Sequence, residues 1–274
     1  MSIASARDAA IPLSPAQSGL WLLQKLAPDS PAYHDALALR LRGRPSTGLL
    51  RRCLDELVDR HDALRLQFRL TVDGPEQSAL AGYRHPLQVL PAPGAEAAME
   101  VARAEARRPF DLEAEPPVRF TLIRSAPDDH VLLVVLHHVI SDSSSMMLLL
   151  GELAALYTAH DRGEPSPLTS PAPSYLDFVR WQRDHLSPEA AARQVAYWRQ
   201  QLAGAPPLLD LPTDRPRPRV MSFQGSTLGF QLPRPLGEGI ARLARDHDAT
   251  TFMVLLAALQ LVLARSGGQD DVPV

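Results

Sequence analysis

The chain has 274 residues, of which 45% are hydrophobic and 22% are charged, and its formal net charge is −3. This composition is typical of a soluble globular protein, and the small net charge gives no electrostatic basis for binding nucleic acid or a membrane. The only cysteine, Cys53, excludes an internal disulfide framework and a Cys-rich zinc module. The N-terminal residues lack the apolar core of a signal peptide and no uncharged apolar run reaches the length of a membrane span, so we expect a cytoplasmic protein.

Hydrophobic periodicity along the chain predicts a mixed α+β architecture. Ser14 and Pro15 have the residue types that cap and begin a helix. Cys53 lies within an apolar helical pattern, which favours a buried structural thiol over a nucleophile. The expected elements, in chain order, are a disordered lead at 1–13, a helix at 15–26, a strand at 32–42, a helix at 46–61, a strand at 64–70, a turn at 72–75, a helix at 95–108, strands at 118–123 and 131–136, a helix at 143–160, a Pro-rich connection at 164–174, helices at 175–185 and 188–203, a strand at 225–232, and helices at 235–246 and 250–265.

The segment LHHVISDS at 136–143 is the part of the chain that is most suited to chemistry. The run VLLVVL at 131–136 is typical of a strand buried on both faces, and reactive groups often follow the ends of such strands. Adjacent residues on a strand point to opposite faces. We therefore expect one of His137 and His138 to face a cavity while the other packs on the far side.

The residues alone leave several interpretations of this segment open. Asp142 precedes Ser143 at the start of the predicted helix, so a simple structural interpretation is a core histidine, an exposed histidine and a capping aspartate. A zinc site would need further ligands, and the other candidates, His61 and His85, are isolated in the sequence. A Ser-His-Asp hydrolase is disfavoured because no Gly-x-Ser-x-Gly motif is present.

Several segments together resemble the condensation domains of nonribosomal peptide synthetases. The segments match the family's motifs in order, and the resemblance extends from residue 13 to residue 274. They are LSPAQSGLWLLQKLAPDSPAYH (13–34), RHDALRLQF (60–68), HHVISDS (137–143), YLDFVRWQ (175–182), YWRQQLAG (197–204), LPTDRPRP (211–218) and TFMVLLAALQ (251–260).

The resemblance implies two lobes, each like chloramphenicol acetyltransferase, with a tunnel between them. Carrier proteins bearing phosphopantetheine arms dock at opposite mouths, and a donor acyl thioester is attacked by the amine of an acceptor aminoacyl thioester. His138 is then the catalytic histidine and His137 packs away from the tunnel. The family's motif aspartate pairs with an arginine of the second motif, which here implies a buried Asp142–Arg65 pair. The resemblance implies no metal and no bound cofactor.

Mapped onto the chain, the resemblance predicts four regions. They are a disordered lead at 1–13, an N-terminal condensation lobe with the active-site motif at 14–165, a linker and connecting helix at 166–185, and the beginning of a C-terminal lobe at 186–274. The family's later motifs are absent, so we expect a fragment that is inactive alone and that exposes apolar surface on the 250–265 helix. Ser143 replaces the glycine of the family's motif, and its side chain either narrows the tunnel or caps the helix.

The position of Met1 suggests either a starter domain that takes an acyl donor, such as an acyl-CoA, or a domain that receives its donor in trans, and of the two the starter is favoured. The resemblance also implies an adjacent adenylation domain. Two alternatives remain open, a non-catalytic condensation-like platform that recruits a tailoring enzyme and an epimerization domain. A heterocyclization domain is disfavoured because that family has aspartates in place of the histidine pair. A coenzyme A-dependent small-molecule acetyltransferase is a more remote alternative.

Overall fold

The structure is a computed structural model that describes residues 10–168, 172–219, 221, 223 and 225–273. The chain divides into two units, residues 1–186 and residues 187–274. The predicted Pro-rich connection lies partly outside the described residues, because 169–171 are not among them.

The first unit contains seven strands, five helices and a short 3-10 helix at Asp62–Arg65 in its described residues. The strands are β1 (Ile11–Pro12), β2 (His34–Arg42), β3 (Leu66–Thr71), β4 (Gly74–Ala79), β5 (Leu87–Pro91), β6 (Val118–Ala126) and β7 (Asp129–His137). The helices are α1 (Pro15–Leu26), α2 (Thr47–Arg60), α3 (Ala95–Arg107), α4 (Ser143–Asp161) and α5 (Tyr175–His185).

The strands form two sheets. The larger has the order β2-β7-β6-β5, in which β5 pairs with β6 in parallel and the other pairs are antiparallel. The smaller has the order β1-β4-β3 and is antiparallel. A mixed sheet with flanking helices confirms the predicted α+β class.

Strand β7 is buried on both faces, as its apolar run predicts. Leu132, Val134 and Leu136 belong to a hydrophobic core that also contains apolar residues of α2 and α4. The intervening residues of β7 belong to a second core with residues of α1 and α3. Since the side-chain period of a strand is two, one strand contributes to both cores. The end of β7 is therefore held between two packed layers.

Most of the helix boundaries follow from local sequence. Ser14 accepts a hydrogen bond from the backbone N–H of Gln17, whose side chain accepts one from the backbone N–H of Ser14, so the two form a capping box at the start of α1. Ser174 caps α5, and Leu176 and Val179 of that helix are buried. The predicted connecting helix at 175–185 thus belongs to the first unit.

Some expectations for the first unit are wrong. Ile11 and Pro12 pair with β4, so the disordered lead does not extend to residue 13, whereas its residues 1–9 lie outside the described residues. The predicted strand at 64–70 begins only at Leu66, because Leu64 and Arg65 belong to the 3-10 helix. Strands β4 and β5 were not predicted. The sequence of β4 is polar and β5 has only five residues and ends at a proline, and the two become strands by pairing with β3 and β6.

The second unit contains α6 (Pro188–Gln201), α7 (Arg234–Asp246) and α8 (Thr251–Gly267), with Thr250 capping α8. The strand predicted at 225–232 is wrong, since these residues adopt no regular structure. Strands need a hydrogen-bonding partner, and the described part of this unit offers none. Asp271–Pro273 is also irregular, and Val274 lies outside the described residues.

The apolar residues of α8 are exposed, as expected for the 250–265 helix. Phe252 is 71% exposed and Leu261 is 60% exposed. Among the described residues no single helix is long and apolar enough to cross a bilayer; α7 and α8 together have that length and composition but are bent by 105°.

Candidate active site

The two histidines at the end of β7 point to opposite sides. The β2–β7 register places His137 opposite His34 and Leu136 opposite Asp35. His137 is fully buried, whereas the side chain of His138 is 42% exposed. Strand alternation therefore buries the first histidine of the pair and presents the second at the surface of the unit.

The His137 imidazole has a hydrogen-bonding partner on each nitrogen. Its Nδ1 accepts a hydrogen bond from the Val139 N–H at 3.0 Å, and its Nε2 lies 3.2 Å from Gln24 Oε1. Because Nδ1 accepts, the proton of the neutral ring resides on Nε2. Burial, followed by the nearby His34 and His138, lowers the pKa of His137 to about 3. His137 is therefore a neutral structural group in this fold.

His138 is held by contacts to the start of β2. Its backbone N–H donates to the carbonyl oxygen of Tyr33 at 2.7 Å. Its ring Nδ1 lies 2.9 Å from Asp35 Oδ2. Asp35 lies outside the residues that the sequence interpretation singled out as functional, and the pairing of β2 with β7 brings it to the histidine.

Asp142 is the N-cap of α4. Its Oδ1 accepts hydrogen bonds from the backbone N–H of Ser145 at 2.8 Å and from the Ser145 hydroxyl at 2.7 Å. These hydrogen bonds, the Ser145 hydroxyl first, lower the pKa of Asp142. One oxygen of the carboxylate thus accepts hydrogen bonds at the helix end, where negative charge is favoured.

Arg65 bonds a different part of the structure from Asp142. Its Nη1 donates to the carbonyl oxygen of Leu80 at 3.1 Å, which joins the 3-10 helix to the residue after β4. Among the described residues no ion pair joins Arg65 to Asp142, and Asp142 is exposed. The buried Asp142–Arg65 pair that the resemblance implied is therefore not formed, since Asp142 is exposed and caps α4 whereas Arg65 bonds the Leu80 carbonyl oxygen.

Ser143 is the first residue of α4 and is exposed. Within the described part of the chain, positive φ angles at non-glycine residues occur at Phe223 and Asp248. The backbone at Ser143 therefore has no conformational need for glycine.

The sequence interpretation missed a cluster of charged residues that joins the segment at 60–68 to α4. Glu152 Oε1 lies 3.0 Å from Arg60 Nε, and Glu152 Oε2 lies 2.5 Å from His61 Nε2. Burial acts to raise the pKa of Glu152, but the hydrogen bonds and charges of His61 and Arg60 outweigh it, so the pKa is lowered. The segment at 60–68 is thus tied to the helix that follows the histidines, through residues other than the predicted pair.

The segment at 13–34 also contacts the histidine loop. Gln17 donates through Nε2 to the carbonyl oxygen of Val139 at 3.2 Å and to Gln77 Oε1 at 2.8 Å. Gln24 accepts a hydrogen bond from His137 Nε2. Two glutamines of α1 therefore fix the loop that carries His138.

The segment at 175–182 is joined to the same region. Asp62 accepts a hydrogen bond from the backbone N–H of Tyr175 at 3.1 Å and another from the Ser174 hydroxyl. The Tyr175 hydroxyl lies 3.2 Å from Ser14 Oγ. Four segments that are distant in sequence are therefore joined by side-chain hydrogen bonds around one strand end.

The other candidates from the sequence lie apart from His138. His85 is buried, its Nε2 lies 3.1 Å from the Leu64 carbonyl oxygen, and burial lowers its pKa to about 4. Cys53 is buried, which raises its pKa to about 11, so the thiol is poorly suited to nucleophilic attack. In residues 10–168, 172–219, 221, 223 and 225–273, no three His, Cys, Asp or Glu side chains are grouped as metal ligands.

A sequence model of the family described as the condensation domain matches residues 8–274. The chain belongs to the condensation domain family. It is 40% identical over 275 residues to a linear gramicidin synthase of Brevibacillus parabrevis, covering 98% of this chain and 4% of that protein. It is also 40% identical over 271 residues to the chondramide synthase of Chondromyces crocatus, covering 96% of this chain and 7% of that protein.

Solved structures give the same result for the fold of this condensation domain. The X-domain from teicoplanin biosynthesis is 29% identical, with a TM-score of 0.81 over 93% of this chain and 57% of that chain. The starter condensation domain of rhizomide synthetase is 27% identical, with a TM-score of 0.66 over 73% of this chain and 50% of that chain. These neighbours confirm the condensation-domain fold, and the chain spans only a small part of the synthetases that it matches.

Proposed function

We propose that this condensation domain forms an amide bond between a donor acyl or peptidyl thioester and the amine of an acceptor aminoacyl thioester. The observation that carries the proposal is the exposed imidazole of His138, next to the buried and neutral His137, in a chain of this family. Both substrates would be held on the phosphopantetheine arms of carrier proteins, and the domain itself would bind no cofactor.

In this proposal His138 is the catalytic residue. The acceptor amine attacks the thioester carbonyl carbon, a C–N bond forms, and the C–S bond breaks. The nitrogen loses a proton, which His138 Nε2 accepts and which finally resides on the departing thiol. A free α-amine has a pKa of about 8, so an imidazole is a suitable acceptor near neutral pH. Holding the amine next to the thioester would supply further rate enhancement.

The proposed partners are a donor and an acceptor carrier protein. A variant of the rhizomide synthetase starter domain has been solved in complex with C8-CoA, with a TM-score of 0.69 to this chain and 26% identity. A starter role with an acyl-CoA donor is accordingly part of the proposal, beside an adenylation domain that would supply the activated acceptor.

We further propose that residues 14–165 belong to the N-terminal condensation lobe, that 166–185 connect it, and that 186–274 begin a C-terminal lobe. The structural match covers 93% of this chain and 57% of the teicoplanin X-domain chain, so the residues given span little more than half of that fold. A tunnel wall contributed by the rest of a C-terminal lobe would then be required for condensation, and the 274 residues alone would be inactive.

The test compares amide formation by the complete two-lobed domain and by its His138→Ala variant, with acyl-loaded donor and aminoacyl-loaded acceptor carriers. Loss of the proton acceptor is expected to lower the rate by about 10²- to 10⁴-fold. The matched control is His185→Ala, at an exposed position of α5, which is expected to retain full activity. Equal product from wild type and His138→Ala would refute the role of His138. Product from the 274 residues alone would refute the need for the second lobe.

A second candidate is a non-catalytic platform that recruits another protein. It is favoured by the TM-score of 0.81 to the teicoplanin X-domain, which has also been solved in a complex with OxyB. In that case the complete wild-type domain would yield no amide, although it would retain binding of its protein partner. An epimerization domain would instead invert the stereocentre of a carrier-bound residue without forming an amide.

A further inference from the structure

Asp35 shares a face with His138 although the two residues are 103 positions apart in sequence. Asp35 is the second residue of β2 and lies opposite Leu136 of β7. Directly opposed residues of paired strands point to the same face, and alternation returns His138 to the face of Leu136. The register of one strand pair therefore brings a carboxylate to the exposed histidine.

The contact between these residues is held from several directions. The His138 backbone N–H donates to the Tyr33 carbonyl oxygen at 2.7 Å, which continues the β2–β7 pairing past His137. Ser141 Oγ lies 3.2 Å from Asp35 Oδ2 and also 3.2 Å from the His137 carbonyl oxygen, so its one proton is shared between these two acceptors. Asp35 Oδ2 is the same oxygen that lies 2.9 Å from His138 Nδ1. The carboxylate is thus fixed by the loop that follows the histidine.

The pairing determines which ring nitrogen is available for chemistry. An ionised carboxylate only accepts hydrogen bonds, so the proton of a neutral His138 ring must lie on Nδ1 when that atom is bonded to Asp35. The lone pair then lies on Nε2, on the far side of the ring from Asp35. A carboxylate that sets the histidine tautomer in this way is an established positioning device for a general base.

We propose that Asp35 is the positioning residue of His138, holding the ring in the tautomer whose Nε2 accepts the proton of the acceptor amine. This inference rests on the proposed function, because it assigns Nε2 of His138 as the proton acceptor. The competing explanation is an ordinary exposed ion pair of little consequence, since the side chains of His138 and Asp35 are 42% and 32% exposed.

The kinetic test uses the complete domain with Asp35→Asn, Asp35→Ala and Asp35→Glu. At saturating concentrations of both loaded carriers, Asp35→Asn and Asp35→Ala should lower kcat by about 10- to 100-fold. Their KM values should stay within about twofold of wild type, because positioning acts on the chemical step. Asp35→Glu retains a carboxylate and should recover part of the loss. The matched control is Asp129→Asn, which removes a carboxylate that bonds Arg40 at 2.7 Å across the same two strands; its kcat should be unchanged.

A second readout does not depend on activity. Nitrogen-15 NMR of the His138 ring, assigned with His138→Gln, should show the Nδ1–H tautomer in wild type and a shift toward Nε2–H in Asp35→Asn. An inactive wild type would refute the proposed function, and the tautomer would then decide the role of Asp35 by itself. An Nε2–H tautomer in wild type, or a tautomer that is unchanged in Asp35→Asn, would overturn the proposal whatever the kinetics. An unchanged kcat in both Asp35→Asn and Asp35→Ala would also overturn it.

Discussion

His61 Nε2 lies 2.5 Å from Glu152 Oε2, and this contact joins the residue after α2 to the middle of α4. Arg60 binds the other oxygen of the same carboxylate. The side chains of Arg60 and His61 are 18% exposed and that of Glu152 is 11% exposed, so the cluster is largely shielded from solvent. Because Asp142 and the histidine loop directly precede α4, the cluster fixes the position of the helix that supports the loop.

We expect Glu152→Gln to destabilise the protein by about 1–3 kcal/mol, because it removes a negative charge that bonds both Arg60 and His61 in a shielded site. The rate of amide formation should also fall, since α4 supports the catalytic loop. Denaturant unfolding measures the first effect and carrier-based product formation measures the second. The matched control is Asp59→Asn, which breaks the exposed pair with Arg84 and should cost less than about 1 kcal/mol. Equal costs for the two variants would contradict the argument.

The separation of Asp142 from Arg65 predicts additive mutational effects. Asp142→Ala should cost about 1 kcal/mol of stability through loss of the N-cap, and Arg65→Ala about 1 kcal/mol through loss of its hydrogen bond to Leu80. In a double-mutant cycle the coupling energy should be below about 0.5 kcal/mol, because the two side chains share no contact. A coupling of several times that size would show that the two residues form a pair after all.

The sequence predicts the centre of this fold because local signals there agree with the packing. The apolar run of β7 and the capping residues before α1 and α4 can all be recognised in the sequence without tertiary information. Strand alternation also predicts that His137 and His138 separate to opposite faces. The structure places His137 in the core and His138 at the surface.

Other features depend on pairing that no local pattern encodes. β4 has the sequence GPEQSA and becomes a strand by pairing with β1 and β3. In residues 225–232 apolar residues alternate with other types, as in a strand, but the segment adopts no regular structure. The contact of Asp35 with His138 depends on the β2–β7 register, and that of His61 with Glu152 on the packing of α2 against α4. To predict such contacts from one sequence, the strand register and the helix packing would have to be known in advance.

Substitution of Ser143 by glycine tests whether its side chain limits activity. The residue is exposed in the first turn of α4 and needs no positive φ. We expect Ser143→Gly to change stability by less than about 1 kcal/mol, with a small loss from the lower helix propensity of glycine. The rate of amide formation by the complete domain should stay within about threefold of wild type, since no backbone strain is relieved. A rate increase of tenfold or more would indicate that the Ser143 side chain obstructs the substrate.

The bond between Gln24 and His137 predicts a stability cost at the core. Gln24→Met keeps a side chain of similar length but leaves the Nε2–H of the buried His137 without an acceptor and removes donors to Pro28 and Phe110. We expect a loss of about 1–3 kcal/mol in the free energy of unfolding. Gln88→Met, at an exposed position of β5, is the matched control and should have little effect. Similar losses for both variants would mean that the His137 contact contributes nothing specific.

Two buried histidines predict that stability falls as the medium is acidified. Burial lowers the pKa of His137 to about 3 and that of His85 to about 4, from a reference value of 6.5 for an unperturbed histidine. Above about pH 6.5 both residues are neutral in the folded and unfolded states, so they add no pH dependence. Below that value the unfolded chain takes up protons that the folded protein excludes, and stability falls until the pH reaches the folded pKa.

At pH 5 each of these histidines should therefore cost about 2 kcal/mol of stability relative to pH 7. In His85→Gln, which keeps a donor for the Leu64 carbonyl oxygen, the loss between pH 7 and pH 5 should be smaller than in wild type by about that amount. His185→Gln, at an exposed position of α5, should leave the loss unchanged. Denaturant unfolding at the two pH values measures the difference. An identical loss in wild type and His85→Gln would show that His85 is already protonated in the folded protein at pH 5, contrary to its burial.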